Sequence, residues 1–304
     1  MHRAIAAWLT SRPWRAAVAI AFCALVLPSM QQLMPPFVVL VVAIPVLVAL
    51  RFDTATAVGT AATGAVVAGW VLYSFSSEPV LWALVGLAVL FFSPVALAVL
   101  LKQTRSLNLC FQVAVLGAGL MVVIIHAALE DPVAVWTRLL DQLLASMESA
   151  GLQFEGERDQ LVLAWARSMW GALAALALAI VFGGLLLGRW WATLLEAPGA
   201  FGREFQGLKL GLALGVMITA LIVTVFVSES ALIASLMWVA LLALAFQGLA
   251  AAHRSKAGGH LNKGWLAAIY VLLIVPLSTS ITVFGLAVWG FADNWLRPRA
   301  SAGT

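Results

Sequence analysis

Residues 107–129 read LNLCFQVAVLGAGLMVVIIHAAL, and this stretch decides the fold. It holds no Asp, Glu, Lys or Arg, and a transmembrane helix needs about 20 consecutive, mainly apolar residues. The alternation of apolar and polar residues that marks a membrane barrel strand is missing. Similar runs occupy residues 14–27, 36–50, 54–73, 79–101, 161–187, 208–227, 231–252 and 265–291. The first two are short for a full span and imply tilt, partial insertion or extension by interfacial residues. Of 304 residues, 63% are hydrophobic and 10% charged, whereas soluble domains carry roughly 25% charged residues. The runs predict an all-α polytopic transmembrane bundle of about 8–10 membrane segments, forming one integral membrane domain over residues 1–304. The N-terminus, with Arg3, Arg12 and Arg15 ahead of a short apolar stretch, resembles a signal peptide. A second apolar run follows at once without a convincing cleavage site, so it reads as a retained first helix.

Lys and Arg in short loops set the orientation. The N-terminal segment, the turn with Lys102 and Arg105, and the loop with Arg254, Lys256 and Lys263 are basic. Between Glu130 and Gln160 the balance reverses, because Glu130, Asp131, Asp141, Glu148, Glu155, Glu157 and Asp159 outnumber Arg138 and Arg158. Counting passes from a cytoplasmic N-terminus puts the basic loops inside and the acidic loop outside, in a cytoplasmic (inner) membrane. Nine passes would leave Arg297 and Arg299 outside, against the rule. The stretch Val275-Pro276-Leu277-Ser278-Thr279-Ser280 breaks the last run and turns it into a short hairpin that returns the tail to the cytoplasm.

In the acidic loop, Trp136, Leu139, Leu140, Leu143, Leu144 and Met147 recur at helical spacing, with Asp141 and Glu148 opposite and Gly151 as a stop. This predicts an amphipathic helix on the outer face, an interfacial anchor or alternatively a lid. Ionisable residues in apolar runs are costly and usually face a cavity or a partner. His126, Glu130, Arg167, Trp170, Glu229 and Trp238 all fall toward the outer side, with Glu78 and the Ser278–Ser280 break. They form a candidate outward-opening solute pocket with aromatic walls; the bland reading is solvated helix ends. Ser93, Ser235 and Gln247 fit helix–helix hydrogen bonds. Nothing recommends an enzyme: there is no P-loop, HExxH, nucleophile elbow or intramembrane protease signature. Cys23 and Cys110 stand apart from any His cluster and read as small core residues, so neither a metal nor another cofactor is expected.

The segment Arg189-Trp190-Trp191, Pro198-Gly199, Phe201, Glu204-Phe205 and Leu208-Lys209 lies between two apolar runs. It reads as a cytoplasmic interfacial loop over residues 188–209. Gln247-Gly248-Leu249-Ala250, His253, Trp265-Leu266, Tyr270 and the ending Gly290-Phe291-Ala292-Asp293-Asn294-Trp295-Leu296-Arg297 accompany it. In order and spacing, with Leu50-Arg51 earlier, these residues resemble the YybS-like family of bacterial membrane proteins, a domain of unknown function. Phe52-Asp53 departs from the small residue or glycine expected there. The resemblance implies a fold similar to the S-components of energy-coupling-factor transporters. It thereby implies a small-solute-binding subunit that pairs with an ATPase-containing module or another membrane protein.

The alternative is a non-enzymatic scaffold docking a partner through its cytoplasmic loops. Arg189, Trp190, Trp191, Phe201, Glu204 and Phe205 suit either membrane anchoring or a partner interface. Asp293 and Arg297, four apart, read as a helix-end ion pair. Membrane lipid is the expected partner, and nucleic acid is not.

Overall fold

The computed structural model describes residues 2–26, 34–75, 81–151 and 158–296. Among these the chain forms fourteen α-helices and no strand, as the apolar runs predict. They are α1 (His2–Thr10), α2 (Pro13–Val26), α3 (Met34–Arg51), α4 (Thr54–Phe75), α5 (Leu81–Thr104), α6 (Leu107–Ala128) and α7 (Pro132–Ser149). There follow α8 (Arg158–Ala166), α9 (Met169–Glu196), α10 (Ala200–Gln206), α11 (Gly211–Val225), α12 (Ala231–Ala257), α13 (Lys263–Ile274) and α14 (Pro276–Leu296). Five of them, α4, α5, α6, α9 and α12, are long and apolar enough to cross a membrane, and up to seven spans result if the broken pairs α1–α2 and α10–α11 each count as one. Two further apolar helices, α13 and the part of α3 from Phe37, are shorter. The protein is therefore a multi-pass membrane protein of helical type.

Three boundaries differ from the sequence expectation. The 161–187 run is two helices, because Arg167 and Ser168 form a turn between α8 and α9. The expected 188–209 loop begins as helix: no breaker occurs between Gly188 and Pro198, so α9 continues through Arg189, Trp190 and Trp191 to Glu196. Only after the Pro198-Gly199 turn does the short α10 form. At the N-terminus the chain is already helical from His2, and α1 meets α2 at a 117° bend just before Pro13.

Contacts gather in two compact units. Unit 1 comprises Met1–Ala114 and Ala177–Gly207; unit 2 comprises Val115–Leu176 and Leu208–Thr304. In unit 1, residues 41–49 of α3 are all buried, the pattern of a helix that is apolar all round because it is surrounded. Helices α2, α4 and α5 pack on it. The C-terminal part of α9 reaches it through Gly184 and Gly188. A Cβ at Gly184 would lie 2.6 Å from Val42 Cγ1, and one at Gly188 would lie 2.5 Å from Val46 Cγ1. Lipid tails are as apolar as these side chains, so close van der Waals packing rather than escape from water holds such helices together. Phe111 and Phe182 add a ring contact at 4.9 Å between centroids. Cys110 is buried with its Sγ 3.5 Å from Leu97 O, the core role expected of it, whereas Cys23 is only half-buried.

Unit 2 is built on α12 and α14, its most extensive helix pair. They touch at Gly248 and Gly290: a Cβ on Gly248 would strike the backbone of Leu286, and one on Gly290 the backbone of Leu244. The expected break in the last run falls at Val275 between α13 and α14. Pro276 brings no amide for the carbonyls it follows. The Ser278 hydroxyl donates instead to Leu272 O at 2.9 Å, and the Thr279 hydroxyl to Leu273 O at 3.1 Å. Such side-chain replacement makes proline tolerable inside a membrane. Arg297 and Arg299 lie outside the described residues.

Candidate functional site

In unit 2 the acidic segment begins with a capped helix. The Asp131 carboxylate accepts the amides of Val133 and Ala134 at 3.0 and 2.9 Å and starts α7, with Pro132 at its first position. Gly151, at φ 89°, follows its C-terminal end as expected. Helix α7 packs on α8 through Leu140 and Leu144 against Val162 and Ala166, with Trp136 and Met169 at the edge. Arg158 fastens the other side, 3.1 Å from Glu148 Oε2 and 3.7 Å from Asp141 Oδ1. Of the expected apolar face, Leu140 and Leu144 are buried, whereas Leu139 and Leu143 stay exposed.

Three of the six candidate pocket residues gather near this helix pair. Trp170 donates its indole N–H to Pro132 O at 2.9 Å and meets the Trp136 ring edge-on at 5.5 Å. Arg167 pairs with Glu229 at 3.5 Å. The Arg167 carbonyl accepts the Ser235 hydroxyl at 3.2 Å, and Gly171 lets α9 pass against the Ser235 backbone. The Glu229 side chain is 90% exposed, so the ion pair contributes only about 0–1 kcal/mol and opens readily. Glu130 and Trp238 are exposed and are not drawn into this group. Glu78 lies outside the described residues.

His126 is distinctive. Its Nδ1 lies 3.0 Å from Val122 O, and a carbonyl only accepts, so Nδ1 carries the proton. In the neutral ring Nε2 is then an acceptor, and it is buried without a partner among the described residues. Trp136 Nε1, a donor, is likewise buried and unpartnered. Unpaired buried polar atoms are rare and ask for water, an ion or a ligand. No group of three or more His, Cys, Asp or Glu side chains able to hold a metal occurs among the described residues.

A cavity of about 380 Å³ lies elsewhere, in unit 1 between α4 and α5, lined by Ala62, Ala65, Gly69, Trp70, Leu84 and Leu87 among others. Its lining is apolar and includes none of the six candidates.

The second candidate group belongs to unit 1. Arg189, two residues before Trp191 on α9, meets Glu204 of α10 through two parallel hydrogen bonds, Nε to Oε2 at 3.0 Å and NH2 to Oε1 at 2.6 Å. Trp190 lies against the His2 ring at 5.0 Å, and Phe201 stacks on Phe205 at 5.9 Å. Trp191 and Phe205 are buried. These two therefore pack inward rather than anchoring in lipid or docking a partner; Phe201 and Trp190 remain partly accessible. Nearby in the same unit, Arg51 pairs with Glu196 at 2.6 Å, and Lys102 donates to the carbonyls of Ala49 and Phe52 at 3.3 and 2.6 Å. The carbonyls at the end of α3 are thus closed by a cation, as helix C-termini favour.

One constellation escaped sequence reasoning as a whole. Gln247, fully buried on α12, accepts the Leu210 amide at 2.9 Å and donates to Asp293 Oδ2 at 3.1 Å and Asn294 Oδ1 at 3.4 Å. Asn294 Nδ2 donates to Gly211 O at 3.2 Å, and Asp293 pairs with Arg254. The expected partner of Asp293, Arg297, lies outside the described residues. The Gln247-Gly248 and Gly290-to-Asn294 motifs are thus two halves of one junction.

Comparison with known protein families, with curated proteins and with solved structures finds no match for this chain.

Proposed function

We propose that this membrane protein is a non-enzymatic subunit that captures a small polar solute at the α7–α8 end of unit 2 and hands it to a partner module, as S-components do. The observation that carries this reading is that two of the three buried, unpartnered side-chain polar atoms among the described residues fall in unit 2, His126 Nε2 as acceptor and Trp136 Nε1 as donor. The third is Trp191 Nε1 in unit 1. A solute with both a donor and an acceptor satisfies the unit 2 pair, and the exposed Arg167–Glu229 pair supplies exchangeable charge. The likeness to S-components rests on the sequence resemblance. Native mass spectrometry of the full chain, purified from its own membranes, tests the reading. The expected result is one retained small molecule, lost in His126→Ala and Trp136→Phe. Retention of lipid only, unchanged in both variants, rejects it.

A scaffold that recruits a partner through its basic face is the second reading. It is favoured by the ion-paired, pre-ordered ends of α3, α9 and α10 in unit 1. A photo-crosslinker at Phe201 or Arg203, both accessible, is expected to capture one dominant protein; capture of lipid alone rejects this reading.

A further inference from the structure

The α7–α8 pair leaves an apolar face that the described residues of unit 2 do not cover. An α-helix turns by about 100° per residue. On α7 this places the buried stripe of Leu140 and Leu144 in the middle, with Leu139 and Leu143 on one flank and Asp141 and Glu148 on the other. Leu139 and Leu143 are 50% and 53% exposed, whereas Asp141 and Glu148 are held by Arg158. Helix α8 lies antiparallel, because Arg158 at its start meets Glu148 near the end of α7, and Trp170 beyond its end meets Pro132 at the start of α7. That arrangement turns the exposed Leu161 and Trp165 of α8 to the same side as Leu139 and Leu143. Leu163 falls on the charged side.

The short linkers decide what meets this face. Three residues, 129–131, join α6 to α7, and two, 167–168, join α8 to α9. A linker reaches at most roughly 3.6 Å per residue. Both α6 and α9 are long and apolar enough to span a membrane. The helix pair is therefore tied at both ends to the rim of the bilayer. We propose that α7 and α8 lie side by side in the bilayer surface, with Leu139, Leu143, Leu161 and Trp165 sunk among the lipids and the Arg158–Asp141–Glu148 cluster turned to water. A helix of this kind immerses its apolar face by about 5–10 Å, and Trp165 suits the interfacial layer where tryptophan collects. The pair then acts as an interfacial anchor and not as a hinged lid.

Spin-label accessibility tests this in the full chain, with Cys23 and Cys110 replaced by Ala, in vesicles of phosphatidylethanolamine and phosphatidylglycerol. Labels are placed singly at Leu139→Cys and Leu143→Cys, and at Ala145→Cys on the charged side. All three sites are exposed, so the substitutions leave the packing intact. Collision with oxygen is expected to exceed collision with a water-soluble nickel chelate several-fold at 139 and 143, and the order to reverse at 145. Nickel accessibility at all three sites places the pair in water, as a lid, and overturns the proposal. Labels at 139 and 143 shielded from both reagents, with spin–spin broadening, place a second copy on the face and overturn it equally.

Discussion

Arg189 and Glu204 face each other through two parallel hydrogen bonds across the Pro198-Gly199 turn, 3.0 Å from Nε to Oε2 and 2.6 Å from NH2 to Oε1. The two side chains are only 25% and 30% exposed, and a two-pronged arginine–carboxylate contact is both stronger and more directional than a single one. It fixes the angle at which α10 leaves α9. Glu204→Ala leaves the guanidinium half-buried without its acceptor, at a cost of about 1–3 kcal/mol. Arg189→Lys keeps the charge but loses the fork. Thermal unfolding in detergent is expected to fall in both variants. Limited proteolysis should open the chain between Glu196 and Gln206 in both, with Glu204→Ala the more sensitive. Unchanged protection in Glu204→Ala would show that Phe205 packing alone holds α10.

The α12–α14 contact yields a sharper test, because backbone meets backbone. At Gly248 or Gly290 an added methyl cannot be accommodated by moving a side chain. Overpacking of this kind costs about 1–3 kcal/mol or more. Gly59→Ala on α4 is the control, since a Cβ there meets nothing within 4 Å, and replacing a mid-helix glycine by alanine stabilises by roughly 0.5–1 kcal/mol. Melting temperatures of the three variants in one detergent are expected to move down, down and up. A tolerated Gly248→Ala would mean that the helices do not approach this closely.

Composition and run length made the helical membrane class legible, because about 20 apolar residues in a row admit few other structures. The amphipathic α7 and its Gly151 stop were legible for the same local reason, whereas its Asp131 cap was not read. The end of α9 was misread because Arg189, Trp190 and Trp191 look like an interfacial loop, although none of them breaks a helix. The packing glycines were not singled out as such in the sequence, although Gly184 and Gly188 stand at the G-x-x-x-G spacing of closely packed membrane helices. Gly248 and Gly290, one per helix, carry no such local signature. Pairings such as Arg167 with Glu229 or Asp293 with Arg254 depend on which helices become neighbours, and single-sequence periodicity does not encode that. Of the proposed pocket, the sequence indicated that His126, Glu130, Arg167, Trp170, Glu229 and Trp238 share one side. It said nothing of the Trp136 edge contact or of the buried His126 Nε2.

Gln247 ties α12 to two further elements, the start of α11 through Leu210 and the end of α14 through Asp293 and Asn294. Gln247→Ala strands a buried amide and two buried acceptors, each unsatisfied group costing about 1–3 kcal/mol. Gln247→Glu still accepts from Leu210 but cannot donate, and it sets a second carboxylate beside Asp293. The expected order of thermal stability is wild type, then Gln247→Ala, then Gln247→Glu. Gln247→Glu in an Asp293→Asn background should recover part of the loss, since the like-charge contact is then gone. Equal losses for Gln247→Glu in both backgrounds would place Asp293 outside the network.

Asp53 offers a pH test outside the spans. It accepts the Thr56 hydroxyl at 2.7 Å and the Thr56 amide at 2.9 Å, and so caps α4. The Thr56 hydroxyl first, and its amide second, hold the Asp53 carboxyl below the usual aspartate range, because both donate to the charged form. A carboxylate whose folded-state pKa is lowered stabilises the fold fully above the unfolded value, and that stability fades as pH falls through the folded value. The cap therefore acts in full at neutral pH and weakens below about pH 4. Asparagine caps helices nearly as well as aspartate but does not titrate. Amide exchange over the first turn of α4 is expected to speed up in wild type when acidified, after correction for intrinsic rates. Asp53→Asn should remove that acid response while keeping protection at neutral pH, and Asp53→Ala should lose protection at both. An acid response that persists in Asp53→Asn would assign the titration to another group.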